Sequence, residues 1–545
     1  MKKINIGGLP FGVLRDENLY YVDKTLLIKD LLDLDGNGVY LFIRPRRFGK
    51  STNISMLDAF FNIQYRGNTW FDGLAISEHP EYDSYKNAFP VIYLDLKDSK
   101  SDDVQSFEGH LRHAIKSAYR AHKYLLDSDA LDEFEKSDFR DVLTGVIPHD
   151  NLIYSIPELC RMLKAHHGDR VIVLIDEYDR AVSDIFGDGS HRPIIMDMLG
   201  SFLSAILKGN AYLKMAYVTG VMQIASESIF SGLNNLSVNN IFSDGSDERF
   251  GFTEPEVKEL LSYYGHPEKF DEAREWYDGY RFGDAEVYNP FSIMNYVSKG
   301  FALGPYWVNT GRDNIIRWLL ERVDTDNFPE VMSITTGGSV STKLDTSPTY
   351  SDLGTSAEAL YSLMVMSGYL KAVPGDGDMY SVSVPNREVL SAVARMIGEM
   401  CPIDDRAFAS FNRAILDCDA GKMTSELQNI LMAGSYLNLT TELHYEVMMM
   451  TAMYGMLPSY DVSTESERGN GRVDIILRPK HEGTIPIIME LKKVDSERKL
   501  DDEAQAAIRQ IHDRRYFHGM NGKVILAGVA FCGKIPRVVL ETIDV

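Results

Sequence analysis

The chain has 545 residues, of which 44% are hydrophobic and 25% charged, and a formal net charge of −23. That length exceeds a single core and implies roughly three or four domains of about 100 to 200 residues each. The acidic balance excludes a chain that coats nucleic acid non-specifically, so any such contact must come from a local basic patch.

No window nears the roughly 18 unbroken apolar residues of a membrane helix, and the N-terminus lacks the apolar stretch of a signal peptide. A cytoplasmic protein without membrane contact is expected. Cys160, Cys401, Cys418 and Cys532 lie far apart with no C-x-x-C pair, which points to ordinary thiols and neither a structural zinc site nor a disulfide framework.

In chain order, apolar β-rich runs occur at 39–43 (VYLFI), 89–96 (FPVIYLDL), 170–179 (RVIVLIDEYD) and 211–221 (AYLKMAYVTGV), separated by helix-like stretches such as STNISMLDAFFNIQ. Short apolar strands alternating with helices predict an α/β domain with a parallel sheet covered on both faces.

Directly after the first strand stands RPRRFGKS, residues 44–51. A phosphate-binding loop follows the rule G-x-x-x-x-G-K-[S/T]. Its backbone N–H groups surround the phosphates at a helix N-terminus, its lysine reaches the β/γ oxygens and its hydroxyl binds Mg²⁺. Gly49, Lys50 and Ser51 supply the second half of that rule, but Arg44 occupies the position of the first glycine. Arg47, Phe48 and Thr52 flank the motif and complete the expected nucleotide-binding set.

The third run ends in Asp176-Glu177, the Walker B pattern, in which Asp176 holds the Mg²⁺ shell and Glu177 orients the attacking water. In the fourth run the strand is expected to end at Thr219, where related ATPases carry a polar sensor of the γ-phosphate. Arg249 reads either as a phosphate contact or as a surface ion pair.

From about 253 to 325 the pattern is helical and aromatic. Residues 335–352 (TTGGSVSTKLDTSPTYSD) read as a linker or exposed loop. Beyond it come helix, strand, a PGDGD turn, strand and helix, which suggests a winged-helix-like module. The stretch from 402 to 545 reads as helix, two strands, helix, strand.

Within that last stretch Asp474 lies in the apolar strand of GNGRVDIILRP, and TIPIIMELKK ends a second strand with Glu490, Leu491 and Lys492. Period-two alternation puts Glu490 and Lys492 on one strand face. Two carboxylates on neighbouring strands and a lysine suit a metal-assisted phosphodiesterase. Asp474 and Glu490 would bind Mg²⁺ or Mn²⁺, and Lys492 would position the water and stabilise developing charge.

Basic residues surround this motif: Lys492, Lys493, Arg498, Lys499, Arg509, Arg514 and Arg515. They read either as a nucleic-acid surface or as a solvated face.

Taken together, YYVDKT (20–25), RPRRFGKS (44–51), LIDEYD (174–179), TGVMQIASESIFSGLNNL (219–236), WYDGYRFG (276–283), YNPFSIMNYV (288–297) and YWVNTG (306–311) resemble the bacterial AAA-ATPase-like family. That family often carries a C-terminal domain of the PD-(D/E)XK nuclease superfamily. The resemblance implies that Arg44 is the usual residue at the start of this loop variant, where Arg44, Arg46 and Arg47 add positive charge near the nucleotide or a partner. It also implies Glu442 as a further metal-binding carboxylate, Gln510 as a site residue of this nuclease lineage, and a matching Glu467 at the turn.

The domains expected are a P-loop AAA-like ATPase (1–252), a helical lid (253–330), a linker with the winged-helix-like module (331–401) and a restriction-endonuclease-like α/β domain (402–545). The function expected is ATP binding and hydrolysis whose nucleotide state gates a metal-dependent nuclease on DNA or RNA, with ATP and Mg²⁺ as ligands and homo-oligomerisation left open. The alternative is a nucleotide-dependent switch or assembly protein with a catalytically inactive docking domain.

Overall fold

The computed structural model describes residues 1–34, 36–97, 103–180, 191–222, 236–243, 245–307, 334, 338–345, 356–390, 405–433, 445, 448–449, 452–453, 456, 459–468, 471–481 and 483–545. The chain divides into two compact units. One comprises Met1–Arg322 with Ser341–Val389, and the other Val323–Val340 with Leu390–Val545. Both are α/β.

The first unit is built on a five-stranded parallel sheet: β1 (Val39–Ile43), β2 (Val91–Asp95), β3 (Val171–Asp176), β4 (Leu213–Gly220) and β5 (Leu236–Asn239), in the order β2-β3-β4-β1-β5. Every residue of β1 and β3 is buried. Helices cover both faces of a parallel sheet, so its central strands read as unbroken apolar runs.

The described residues of 253–325, which end at Trp307, are less purely helical than the sequence suggests. Helices Glu254–Tyr263 and Phe270–Tyr277 flank a small antiparallel sheet of β6 (Phe252–Thr253), β7 (Tyr280–Phe282) and β8 (Ala285–Tyr288). Gly279 and Gly283 both have positive φ at the two ends of β7. A three-residue strand between two such glycines is too short to show a period.

The polar stretch 335–352 is likewise not all loop, because β9 (Ser339–Lys343) runs through it with Val340 and Thr342 buried and their neighbours exposed. It alternates in burial with a single large apolar side chain, and a hydrophobicity reading passes over it. The strand joins β10 (Lys371–Pro374) and β11 (Met379–Ser383) in a three-stranded sheet. β10 and β11 form the hairpin expected around PGDGD, after a helix at Ala357–Ser367.

The second unit carries a mixed sheet of β12 (Tyr460–Arg468), β13 (Gly471–Pro479), β14 (Ile487–Lys493), β15 (Lys523–Cys532) and β16 (Ile535–Asp544), paired in that order. The sequence reading missed the two edge strands, β12 and β16. β12 is predominantly polar along YDVSTESER, and an edge strand carries such residues without cost to a core.

One face of the sheet, with Ile475, Leu477, Ile487, Met489 and Leu491, packs on Met423, Leu427, Ile430 and neighbours from helices Asp405–Leu416 and Ala420–Ala433. On the other face Ile476 and Ile488 meet Ile508 and Ile511 of helix Leu500–Arg514. Gly528 on β15 makes that second contact close: a Cβ there would run into the carbonyl oxygen of Ala504. Among the described residues, no helix is long and apolar enough to cross a membrane.

Candidate functional site

In the first unit, the loop after β1 delivers the chain into helix Lys50–Phe61, whose N-cap, Gly49, has φ 90° and ψ 8°. That left-handed conformation suits glycine, so the second glycine of the motif has a backbone reason. The first N–H groups of a helix lack intrahelical partners and carry the positive end of its dipole. Lys50 and Ser51 open this helix, Lys50 buried and Ser51 exposed, with Thr52 next at intermediate exposure.

The Lys50 ammonium donates to the carbonyl oxygens of Arg44 (2.9 Å) and Pro45 (2.8 Å). An ammonium has three donors, so these bonds leave one N–H. Burial pulls the Lys50 pKa down, against the opposing pull of Glu177, Asp179 and Asp176.

Arg44 contradicts the expectation of added positive charge near the nucleotide or a partner. It is fully buried, donates to the Ile43 carbonyl (2.9 Å) and to both the carbonyl and the side chain of Asn239, and lies over the rings of Phe250 (4.7 Å) and Phe282 (5.1 Å). Its charge is therefore spent inside the protein on aromatic faces and carbonyl dipoles. Arg47, at φ 68°, is exposed and lies over Phe291 (4.7 Å). The Phe48 ring is buried against Tyr280 and Phe282, which leaves only its backbone for a ligand.

Because β4 lies between β1 and β3, Thr219 at its end stands between the loop and the acidic strand. Its hydroxyl donates to Asp176 Oδ1 and accepts from the Glu177 N–H (3.3 Å). Asp176 is 3% exposed. Burial raises the Glu177 pKa, with Lys50 pulling the other way.

Asp179, which the sequence reading did not single out, is buried and accepts from the N–H groups of Val221 (2.9 Å) and Met222 (2.8 Å), fastening the end of β4 to the acidic turn. The third acid of LIDEYD was the available signal. Arg249 is resolved in favour of an ion pair, with Nε 2.8 Å from Asp30.

In the second unit, the β13–β14 ladder pairs Ile475 with Met489. Continued one step, it sets Asp474 opposite Glu490. Asp474 accepts from the Leu491 N–H (2.7 Å). Glu490 is 1% exposed, and one of its oxygens, Oε1, accepts from Lys492 (2.9 Å) and from the Gln510 amide. The other, Oε2, is buried without a hydrogen-bond partner.

Burial first, and the charge of Asp474 second, push the Glu490 carboxyl up to about 7, while Lys492 pulls it down. A buried carboxylate oxygen left unpaired costs on the order of 1–3 kcal/mol or more, and a cation would remove that cost. The two carboxylates and the orphaned oxygen therefore fit a hard divalent ion, although among the described residues no group of three or more ligating side chains converges.

Gln510 reaches the site because its helix lies so close to β15, and its amide also approaches the Tyr516 hydroxyl (3.4 Å). Glu442 lies outside the described residues, as does the side chain of Glu467.

The structure thus brings Lys50, Asp176, Glu177 and Thr219 to one end of the first sheet, and Asp474, Glu490, Lys492 and Gln510 to one face of the second. The basic residues are less unified. Arg515 has φ 53° and caps its helix, while the Arg509 guanidinium turns back toward the Asp502 carbonyl (3.5 Å).

Comparisons with known proteins agree with this division. Residues 5–230 match the family model described as predicted AAA-ATPase, and residues 440–541 match the PD-(D/E)XK nuclease superfamily. An uncharacterized protein of the vnfD 5' region of Azotobacter chroococcum mcd 1 is 28% identical over 475 residues, covering 84% of this chain and 78% of the relative.

A solved STAND signal-transduction ATPase with a tetratricopeptide repeat sensor, from Pyrococcus horikoshii, aligns over 81% of this chain at 11% identity and a TM-score of 0.26. The present chain spans about half of that structure's length, 51%, and a likeness at that TM-score carries no argument about fold or function. The family matches agree with the architecture read from the sequence, similarity to a predicted AAA-ATPase over residues 5–230 and to the PD-(D/E)XK nuclease superfamily over residues 440–541.

Proposed function

We propose that the first unit binds and hydrolyses ATP and that its nucleotide state gates a metal-dependent nuclease in the second, acting on DNA or RNA. The observation that carries the nuclease half is the Glu490 carboxylate: buried opposite Asp474, held through one oxygen by Lys492 and Gln510, and unpartnered at the other. The ATPase half is supported by Lys50, Thr219 and the Asp176-Glu177 pair at the ends of three adjacent parallel strands.

The backbone from Arg47 to Thr52 would cradle the phosphates, with the remaining Lys50 donor on a β/γ oxygen. Ser51 and Asp176 would hold Mg²⁺, and Glu177, fixed through its N–H by Thr219, would orient the attacking water. In the second unit Asp474 and Glu490 would hold Mg²⁺ or Mn²⁺. A divalent ion bound there would polarise the scissile phosphate and acidify a bound water. Lys492 would orient that water and balance charge on the phosphate, and Gln510 would fix the Glu490 carboxylate. The gating rests on the presence of both regions in one chain. We assign boundaries for this reading at 1–252, 253–330, 331–401 and 402–545.

Cleavage of DNA and RNA substrates with Mg²⁺ or Mn²⁺, with and without ATP, tests the reading in wild type, Lys50→Ala and Asp474→Ala. Asp474→Ala should abolish cleavage, and Lys50→Ala should abolish ATP binding and the ATP dependence of cleavage. No cleavage by the wild type under any of these conditions would leave the second unit as a docking module. Unchanged ATP affinity in Lys50→Ala would remove the nucleotide half.

A further inference from the structure

The first half of the nucleotide loop lacks the glycine that ordinarily lets such a loop shape itself, and the structure shows what holds it instead. The Trp307 indole N–H donates to the Arg46 carbonyl oxygen (3.0 Å). The Trp307 backbone N–H donates to Glu388 Oε1, and the Ser292 hydroxyl donates to Glu388 Oε2 (2.6 Å).

Glu388 is completely buried, and burial pushes its carboxyl up to about 7 against the pull of these hydrogen bonds. Pro45 lies against Gly368, where a Cβ would come within 2.9 Å of the proline ring, and on another side it borders a cavity of about 150 Å³ lined also by Tyr280, Leu370 and Tyr380. Close packing alone therefore does not fix the loop from every side, and the hydrogen-bonded chain Ser292–Glu388–Trp307–Arg46 supplies a direct tie.

We propose that Glu388 and Trp307 are positioning residues for the nucleotide: together they clamp the Arg46 carbonyl and so hold the backbone of residues 44–47 in the shape that presents Gly49 and Lys50 to the phosphates. The proposal rests on the nucleotide reading given above. A loop whose first turn is not set by glycine depends on contacts from sequence positions more than 240 residues away, and Arg44, turned inward onto Asn239, anchors its other side. The clamp touches neither phosphate nor metal. Glu388 acts through Trp307, as a buried hydrogen-bond acceptor that keeps the indole aimed at the loop.

The test measures binding of ATP with Mg²⁺ to the full chain in wild type, Lys50→Ala, Trp307→Phe, Glu388→Ala and Glu388→Gln, with thermal melting of each. Trp307→Phe keeps an aromatic ring beside Tyr369 and Tyr280 but removes the donor to Arg46. It should weaken binding about tenfold, the scale of one lost buried hydrogen bond, while the protein remains folded. Glu388→Ala should do the same, and Glu388→Gln, whose amide oxygen still accepts from the Trp307 N–H, should restore affinity to near the wild-type value.

If Lys50→Ala loses ATP while Trp307→Phe binds as wild type does, the clamp is overturned and the nucleotide reading stands. If the wild type binds no ATP, or Lys50→Ala binds unchanged, the nucleotide reading fails and the clamp with it. Should Glu388→Ala fail to fold, Trp307→Phe and Glu388→Gln still decide the matter.

Discussion

The two candidate sites are built in opposite ways. The nuclease-like site draws Asp474, Glu490 and Lys492 from two adjacent antiparallel strands, so neighbouring sequence and strand register do most of the assembly. The nucleotide site draws on the ends of β1, β3 and β4, and its loop is fastened by Asn239, Trp307 and Glu388 from much later in the chain. A site assembled by register is robust to changes elsewhere in the fold, whereas one assembled by long-range ties should fail when a distant residue changes.

The largest expected effects test whether the two sites are chemically separate. Asp474→Ala should reduce metal-dependent cleavage at least about a hundredfold, the scale of removing a metal-binding or charge-stabilising group, and leave ATP affinity unchanged. Lys50→Ala should do the converse for ATP binding. Parallel cleavage and nucleotide-binding assays on both variants would detect any crossing of effects.

Next in size is Arg44→Gly, which would restore the glycine of the ordinary loop rule. It should nonetheless destabilise the first unit, on the order of 4 kcal/mol, because it empties a fully buried site and strands the groups that Arg44 satisfies. Denaturant unfolding would show it. Equal or greater stability would mean that the inward arginine is not needed.

Glu388 gives a prediction about pH. Its folded pKa of about 7 lies above the ordinary 4.5, so between those values the folded state holds the proton more tightly than the unfolded chain does. The contribution of this group to stability is therefore greatest below about pH 4.5, falls as pH rises and levels off above about 7, a total on the order of 3 kcal/mol. Glu388→Gln should flatten that slope between about pH 4.5 and 7 relative to wild type in denaturant unfolding. An unchanged slope would show that the carboxyl is not held protonated.

The smallest effect concerns the second unit. Gly528→Ala should cost about 2 kcal/mol, because its Cβ would meet the Ala504 carbonyl, which cannot rotate away. By lifting helix Leu500–Arg514 from the sheet it should also loosen Gln510 from Glu490. Urea unfolding together with the cleavage rate would register both, and a change in stability with no change in rate would separate Gln510 from the chemistry.

Much of this was legible in the sequence. The central strands were visible as apolar runs because a parallel sheet buries both faces. The Gly49-Lys50-Ser51, Asp176-Glu177 and Asp474/Glu490/Lys492 sets were visible because each is local in the chain or separated by a fixed strand register. The polar strands β9 and β12 were invisible to hydrophobicity, and β7 was too short for any period to show. Asp179 stood in plain view but declares its role only through the N–H groups of Val221 and Met222.

The sequence by itself determined the α/β class, the order of the two regions and the chemical types at each site, since these follow from periodicity and from residue identity at short range. Only the tertiary structure decided what Arg44 does. Read along the chain it is a charge in a phosphate loop, but Asn239, Phe250 and Phe282 converge on it from about 200 residues away. A guanidinium surrounded by carbonyls and rings is a structural anchor for the loop. The same holds for Trp307 and Glu388: although Trp307 lies in the YWVNTG motif, the groups that define both roles, the Arg46 carbonyl and the Ser292 hydroxyl, are brought to them by folding.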